Sequence, residues 1–332
     1  MRYSLAVALV ALLVASSQTS ASAATGPAPC RDVDVPVTVL GHGEVVHGTL
    51  CTPPAGAATV QLLIPGSTYN SSYWDFPDRS FRAAQNEAGF ATLTVDRLGT
   101  GRSSKPLAAV LTAFVQAEAM HQVVTALRTG ALGPRFDKVV IGGHSLGSAI
   151  AVLEAGTYRD VDGVLVTGMT HRVNPTGVVG AFANFRPANL DPKFGLLHPP
   201  GYLTTAPGTR YGSFHAPGPL VKRVAELEES LKDVFSPTEA VDGLGVAVLL
   251  PYSRLISVPV LSVVGSRDRA VCGALATDCS SAAALHEDEA PYYAAPLRTF
   301  VLPGYGHSIN LAPNARDYYS AVAEWALEEV GR

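Results

Sequence analysis

The segment KVVIGGHSLGSAIAV, residues 138–152, constrains the fold more than any other part of the chain. Its β-branched residues are typical of a buried strand, and the small residues after Leu146 are typical of a helix. Between the two lies Gly143-His144-Ser145-Leu146-Gly147, a G-x-S-x-G sequence. A strand that passes directly into a helix leaves no space for side chains two residues to either side of the turn, which explains both glycines. The pattern predicts a sharp turn that exposes the Ser145 side chain.

Hydrophobic runs recur along the chain in a regular order. Two of them, 33–40 and 44–51, alternate apolar and polar residues, as half-exposed antiparallel strands do. Six more are continuous and rich in Val, Ile and Leu, which is typical of parallel strands buried on both faces. These six are 59–65, 90–96, 138–143, 162–168, 258–265 and 297–304. Helical patterns occur at 107–127, 146–157 and 313–330. The alternation predicts an α/β fold with a mostly parallel eight-stranded sheet and helices on both faces.

The composition is that of an ordinary globular domain. Of the 332 residues 47% are hydrophobic and 16% are charged, which is enough apolar material for a sizeable core. The formal net charge is −4, with acidic and basic residues interspersed. No basic stripe predicts a nucleic-acid partner. Nothing in the sequence demands more than a monomer.

The interval 168–257 interrupts the alternation between the sixth and seventh strands. It is rich in Pro, Gly and aromatic residues, and it contains one charged helical segment, 220–235. A long insertion in a compact domain is usually functional, so we expect a cap over the site. The alternative is an insertion without a functional role. Six aromatic residues of the insertion either line a pocket or pack the cap down. They are Phe182, Phe185, Phe194, Tyr202, Tyr211 and Phe214.

Residues 1–23 are typical of a secretion signal. Arg2 supplies a positive charge, residues 5–15 are apolar, and Ala21-Ser22-Ala23 is a small-residue cleavage site. The alternative, a membrane anchor, is disfavoured because an anchor needs about 20 apolar residues to span a bilayer. We therefore predict a leader at 1–23 and a secreted domain at 24–332 with no stable membrane anchor.

Four cysteines follow this leader, and an even number favours disulfides. They are Cys30, Cys51, Cys272 and Cys279. The first pair flanks a predicted hairpin that turns at Gly41-His42-Gly43, with Val39 facing Glu44, so the two thiols lie almost opposite each other. The second pair closes a short loop. Metal ligation is the alternative, but neither pair has C-x-x-C spacing. We predict two disulfides, which agree with export.

A serine hydroxyl is a poor nucleophile unless a base activates it and a carboxylate orients that base. The turn around Ser145 predicts the chain order serine, acid, histidine, with both partners in loops after later strands. Asp268 is the first acidic residue after the 258–265 strand, and His307 follows the last strand. Asp278 shares the loop of Asp268 and is the alternative acid. A structural turn serine and a surface histidine are the alternatives for Ser145 and His307.

Backbone N–H groups beside the serine are expected to stabilise the oxyanion that forms when the serine attacks. One is the N–H of Leu146, the residue after the serine. The second comes from the loop after the first parallel strand, Pro65-Gly66-Ser67-Thr68, in which Ser67 is the preferred donor and Thr68 the alternative.

With these motifs the chain resembles the α/β-hydrolase superfamily over essentially the whole mature sequence. The segment DRLGTGRSS, 96–104, is similar to the D-x-R-G-x-G-x-S segment of that family, although Arg97 directly follows Asp96. Pro65-Gly66 stands where many members have His-Gly. The resemblance implies a two-step acyl transfer through an acyl-enzyme, with Ser145 as nucleophile and His307 as general base, oriented by Asp268. It implies no metal and no organic cofactor.

The motif GHSLG is common among esterases and lipases. A serine at this position argues against the dehalogenase and epoxide-hydrolase branches of the superfamily. We therefore expect a secreted carboxylic-ester hydrolase whose partner is a small-molecule ester. A peptidase-like or lactone-opening serine hydrolase of the same fold is the alternative, and a non-catalytic binding protein is less favoured. An aminopeptidase needs acidic residues in its cap to hold a substrate amine. Glu226, Glu228 and Glu229 have the pattern of a solvated helix face.

Overall fold

A central sheet of eight strands forms the core, as the alternation of patterns predicts. The computed structural model describes residues 27–195 and 198–332, so the predicted leader, 1–23, lies outside the described residues. The strands are β1 (Cys30–Val39), β2 (His42–Cys51), β3 (Thr59–Ile64), β4 (Ala91–Val95), β5 (Lys138–His144), β6 (Gly163–Thr167), β7 (Val260–Gly265) and β8 (Leu297–Leu302). Their spatial order is β1-β2-β4-β3-β5-β6-β7-β8. Strand β2 is antiparallel to both of its neighbours, and all other pairs are parallel.

Helices cover both faces of this sheet. They are α1 (Phe81–Glu87), α2 (Ala113–Thr129), α3 (Leu146–Tyr158), α4 (Pro175–Phe182), α5 (Lys222–Leu231), α6 (Pro237–Val248), α7 (Ala282–Glu289) and α8 (Ala315–Trp325). Adjacent residues of β3 show the two faces. Leu62 belongs to the cluster that contains Met120 of α2, whereas Leu63 belongs to the cluster that contains Trp325 of α8. A strand buried on both sides has no solvated face, and all six residues of β3 are buried, including the polar Thr59 and Gln61.

The first hairpin turns one residue earlier than predicted. Leu40 and Gly41 both have positive φ, 51° and 78°, and they form a two-residue turn. Val39 therefore pairs with His42 and not with Glu44. The corrected register places Cys30 directly opposite Cys51. Both predicted disulfides form, Cys30–Cys51 and Cys272–Cys279.

Two predicted helices are shorter than the sequence pattern indicates. Helix α2 begins at Ala113, because the Thr112 hydroxyl accepts the Val115 N–H at 3.2 Å and caps the helix. The predicted start at Leu107 is wrong, and this side chain is 63% exposed. Helix α8 ends at Trp325 and continues as a π-helical turn over Ala326–Val330.

The insertion between β6 and β7 is folded and not irregular. It contains α4, α5, α6 and a two-stranded sheet that pairs Phe185–Pro187 with Leu203–Thr205. The charged helix of this insertion covers Lys222–Leu231, which is shorter than the predicted 220–235. No helix among the described residues is both long and apolar enough to span a bilayer.

Replacing Cys30 and Cys51 with serine is expected to lower the free energy of unfolding by about 3 kcal/mol, because their bridge spans a sequence separation of 21. Urea denaturation followed by circular dichroism measures the loss. The Cys272→Ser/Cys279→Ser variant is the comparison, since its bridge spans only 7 residues and is expected to contribute about 2 kcal/mol. A larger loss from the short loop would contradict this loop-length argument.

Candidate active site

Ser145 occupies the predicted sharp turn between β5 and α3. Its backbone has φ 53° and ψ −118°, a conformation that costs a non-glycine residue about 1–3 kcal/mol. Its N–H donates to the Thr167 carbonyl at 2.8 Å, which ties the turn to β6. A Cβ added to Gly143 would lie 2.1 Å from the Gly147 oxygen, and one added to Gly147 would lie 2.3 Å from the Ile64 oxygen. Both positions of the motif therefore require glycine for the steric reason inferred from the sequence.

Asp268 and His307 are in direct contact. The loop after β7 places Asp268 in a fully buried position, and its Oδ2 lies 2.7 Å from His307 Nδ1. The other carboxylate oxygen accepts the Ala270 N–H at 2.9 Å. Asp278, the alternative acid, is exposed and accepts the N–H of Ser280 instead. A hydrogen bond at Nδ1 leaves Nε2 as the free nitrogen of His307.

The Cys272–Cys279 disulfide lies in the loop that carries Asp268. The Cys272 N–H donates to the Asp268 carbonyl at 2.8 Å. The bridge and this hydrogen bond both restrain the backbone on which the buried carboxylate depends.

Ser145 and His307 line one cavity of about 150 Å³ between the sheet and the insertion. In the described part of the chain no hydrogen bond joins the Ser145 hydroxyl to His307. Such bonds are often long in unliganded enzymes and shorten when substrate binds. His144 and Leu146, the neighbours of Ser145, also line the cavity. Burial and then the nearby His307 lower the pKa of His144 well below its usual range, so His144 is neutral.

The insertion forms much of the cavity wall. Three of the six aromatic residues singled out in the sequence line it, namely Phe182, Phe185 and Phe214. Helix α6 adds small and aliphatic residues, which are Ala240, Gly243, Leu244 and Ala247. The other three aromatics pack the insertion down. Phe194 and Tyr202 are buried in the main core cluster, and the Tyr211 hydroxyl donates to the Gly218 carbonyl at 2.7 Å.

The loop after β3 lies against the turn that carries Ser145. A Cβ on Gly66 would lie 2.8 Å from the His144 carbonyl, so this close approach requires glycine. Ser67 lines the cavity. Thr68, the alternative oxyanion donor, is fully buried, has φ 63°, and does not line the cavity. Leu146 is the first residue of α3, where backbone N–H groups have no partner within the helix.

Two buried arginines contact this loop. Arg97 donates to the carbonyl oxygens of Pro65 at 3.1 Å and Gly66 at 3.2 Å. It also pairs with Glu239 of α6, and both side chains of the pair are 0% exposed. Arg210 donates to the Thr68 hydroxyl at 2.8 Å.

Glu228 corrects the sequence analysis. It is buried and not part of a solvated face, although Glu226 is exposed. Its carboxylate contacts Arg210 at 2.9 Å and His215 at 2.5 Å, and it accepts the hydroxyl of Tyr69. Burial opposes ionisation, but Arg210 and His215 outweigh it and lower the Glu228 pKa to about 2. A sequence signal did exist, because Val224 lies four residues earlier on the same helix face and is buried too.

Comparison with known proteins places the chain in a broad group. A family model described as the Alpha/beta hydrolase family matches residues 61–316. No protein of curated function matches the sequence.

Several solved structures share the fold. A thermophilic esterase from Thermogutta terrifontis is 20% identical, with a TM-score of 0.58 over 89% of this chain and 97% of that chain. The enol-lactonase from Burkholderia xenovorans LB400 is 19% identical, with a TM-score of 0.56 over 88% and 100%. The monoacylglycerol lipase from Paleococcus ferrophilus is 17% identical, with a TM-score of 0.55 over 91% and 99%. At these identities the likeness shows a common fold and not a common substrate.

A second polar cluster lies at the opposite end of α3. Among the described residues, His121, Glu154 and Asp160 form the one group whose metal-ligand atoms all lie within 4.8 Å of one another. Asp160 Oδ2 contacts His121 Nδ1 at 2.7 Å. Burial, and then the neighbouring Asp160 carboxylate, raise the pKa of Glu154 to about 10. Neither Glu154 oxygen has a hydrogen-bond partner of suitable geometry among the described residues, so a protonated, uncharged carboxyl fits this buried position.

Glu154→Gln is expected to stabilise the protein, because glutamine resembles the protonated acid and cannot ionise. The unfolded chain loses the Glu154 proton near pH 4.5 and the folded chain near pH 10. The wild-type protein therefore loses stability as pH rises between these values, by at most about 1.4 kcal/mol per pH unit. Urea denaturation from pH 4 to pH 9 measures the difference, with exposed Glu87→Gln as the control. A difference that does not change with pH would contradict a protonated Glu154.

Proposed function

The chain belongs to the alpha/beta hydrolase family, and we propose that it is a serine hydrolase that cleaves carboxylic esters. The observation that carries this proposal is the buried Asp268–His307 pair, whose imidazole opens onto the same cavity as Ser145. The strained turn at Ser145 supports it as well, because unfavourable backbone conformations are concentrated at functional sites.

The proposed reaction begins when Ser145 Oγ attacks the ester carbonyl carbon while Nε2 of His307 takes the hydroxyl proton. The carbonyl π electrons move onto oxygen, and the N–H groups of Leu146 and Ser67 donate hydrogen bonds to the resulting oxyanion. Asp268 stabilises the imidazolium through Nδ1. When the intermediate collapses, the carbon–oxygen bond to the alcohol breaks, and the leaving oxygen takes the proton from His307.

The second half of the reaction releases the acid. Water attacks the acyl-Ser145 ester while His307 takes one of the water protons, and a second tetrahedral intermediate forms. The N–H groups of Leu146 and Ser67 bind its oxyanion as well. Its collapse breaks the bond between the acyl carbon and Ser145 Oγ, which regains the proton. The histidine carries out every proton transfer in both halves of the reaction.

The volume and lining of the cavity favour a substrate with a small acyl group. Its volume of about 150 Å³ is similar to that of an engineered protein cavity that binds benzene. The side chains of the insertion that line it are mostly apolar. A short aliphatic or a benzoyl group fits this space, whereas a long fatty acyl chain must extend beyond it.

The charge of the insertion disfavours the peptidase alternative. An aminopeptidase requires a free carboxylate to hold the substrate amine, but the Glu228 carboxylate is already bound by Arg210 and His215. A lactone is a cyclic ester and requires the same groups as an open ester. Lactone opening therefore remains the second candidate, to be tested beside open-chain esters.

We also propose that residues 1–23 direct export and are then removed. The two disulfides support this proposal, because such bonds persist mainly in oxidising compartments. N-terminal sequencing of protein recovered from culture medium tests it, and a start at Ala24 is expected. An intact Met1 would contradict it.

Ser145→Ala is expected to lower kcat for p-nitrophenyl butyrate by at least about 10⁴-fold, because it removes the nucleophile. Ser320→Ala is the control, since Ser320 is exposed on α8 and bonds only its own helix. Stopped-flow and steady-state release of p-nitrophenol give the rates. If both variants hydrolyse the ester at the parent rate, Ser145 is not the nucleophile.

Short acyl groups are expected to be preferred, with kcat/KM for p-nitrophenyl acetate, butyrate or benzoate at least about tenfold above that for palmitate. Leu244→Ala enlarges the cavity and is expected to raise the octanoate-to-butyrate ratio several-fold. Leu249→Ala is the matched control, because Leu249 caps the same helix, is 80% exposed and does not line the cavity. A preference for palmitate in the parent would contradict the small-acyl proposal.

A further inference from the structure

The proposed oxyanion donor Ser67 depends on how its peptide is oriented. The Ser67 N–H and the Gly66 carbonyl belong to the same peptide unit, which is planar and trans, so the two groups point in opposite directions. Whatever fixes the Gly66 oxygen therefore fixes the direction of the Ser67 N–H. Arg97 Nη2 and the Tyr69 N–H both donate to this oxygen at 3.2 Å, and Arg97 Nε donates to the preceding carbonyl of Pro65 at 3.1 Å.

The other side of Ser67 is fixed as well. Thr68 has φ 63°, and a β-branched residue adopts this conformation only when its surroundings enforce it. Arg210 Nη1 donates to the Thr68 hydroxyl at 2.8 Å. The N–H of Asp233, in the insertion, donates to the Thr68 carbonyl at 2.9 Å. Cationic or backbone donors thus hold Gly66 and Thr68, the residues on both sides of Ser67.

Both guanidinium groups are paired with carboxylates of the insertion. Arg97 pairs with Glu239 of α6, and Arg210 pairs with Glu228 of α5. All four side chains are at most 2% exposed. Buried ion pairs of this kind add little net stability compared with apolar residues of similar volume. Stability alone is therefore a poor explanation for two such pairs beside one short loop.

We propose that Arg97 and Arg210 are positioning residues of the oxyanion hole, and that Glu239 and Glu228 of the insertion hold them in place. The inference rests on the proposed function, since it concerns the same hydrolytic site. A guanidinium bound to the Gly66 oxygen also polarises the peptide and makes the Ser67 N–H a stronger donor. The insertion then does more than cover the cavity, because its docking orients a group that stabilises the transition state.

The first test removes one ion pair as a unit, with Arg97→Met/Glu239→Gln, so that no unpaired charge is left buried. The expected result is a fall in kcat of about 10- to 100-fold, less than the loss of a whole oxyanion donor. KM is expected to stay within about threefold of the parent value, because the oxyanion hole binds the ground-state carbonyl more weakly than it binds the oxyanion. Arg97→Lys, which keeps the charge but cannot hold both carbonyls and Glu239, is expected to show the same change in smaller degree.

An alkyl trifluoromethyl ketone provides a second measurement. Ser145 Oγ adds to its carbonyl carbon, the π electrons move to oxygen, and the hydroxyl proton passes to His307, so the bound species carries the oxyanion. Its affinity is expected to fall by the same factor as kcat/KM in each Arg97 variant. A purely structural role would not produce this correspondence.

The matched control is Lys232→Met/Asp191→Asn. These two residues also form a buried ion pair of the insertion, at 2.8 Å, and within the described structure neither side chain hydrogen-bonds to residues 65–68. This variant is expected to change the melting temperature and to leave kcat and ketone affinity within about twofold of the parent.

The outcomes separate the inference from the proposed function. The positioning role would be overturned if Arg97→Lys and the folded double variant both kept the parent kcat and ketone affinity. Hydrolysis that still depends on Ser145 would, in that case, leave the proposed function intact. Equal losses in the Lys232/Asp191 control would overturn it too. A parent protein without Ser145-dependent turnover would overturn the function and the inference together.

Discussion

The close approach of three backbone segments at Ser145 is the constraint on which the rest of the site depends. Strand β5 turns directly into α3, and the loop after β3 lies against that turn. Gly66, Gly143 and Gly147 each face a backbone oxygen within 2.8 Å of the point where a Cβ would be. The contacts force Ser145 into a positive φ and bring Ser67 to the cavity beside it. Backbone packing therefore positions the Ser145 hydroxyl and brings the peptide of Ser67 beside it.

Buried ion pairs connect the insertion to these backbone segments. The ion pairs Arg97–Glu239 and Arg210–Glu228 link α6 and α5 to the loop that carries Ser67. The same insertion supplies aromatic and aliphatic side chains to the cavity wall. One segment thus shapes the cavity proposed to bind the acyl group and restrains the proposed oxyanion hole. A change in how it docks is expected to alter substrate choice and turnover together, even though the insertion supplies none of the groups proposed to react.

Local patterns predicted the fold and indicated Ser145, Asp268 and His307 as candidate residues, whose catalytic roles stay a prediction. Glycine on both sides of Ser145 follows from sterics within five residues, and the order Ser145, Asp268, His307 follows from the order of the parallel strands. The features that the sequence did not predict depend on distant contacts. Glu228 is buried because Arg210 and His215, from another part of the insertion, bind its carboxylate. The start of α2 was misplaced because Leu107 continues the apolar spacing but lies outside the Thr112 cap.

Covalent labelling tests the central claim most directly. A fluorophosphonate reacts with an activated serine, since the serine oxygen bonds to phosphorus, the phosphorus–fluorine bond breaks, and hydrogen fluoride is released. Intact-protein and peptide mass spectrometry are expected to find one adduct, on Ser145, that forms much more slowly in His307→Ala. An adduct that persists in Ser145→Ala, or no adduct on folded protein with both disulfides intact, would contradict a nucleophile activated by the Asp268–His307 pair.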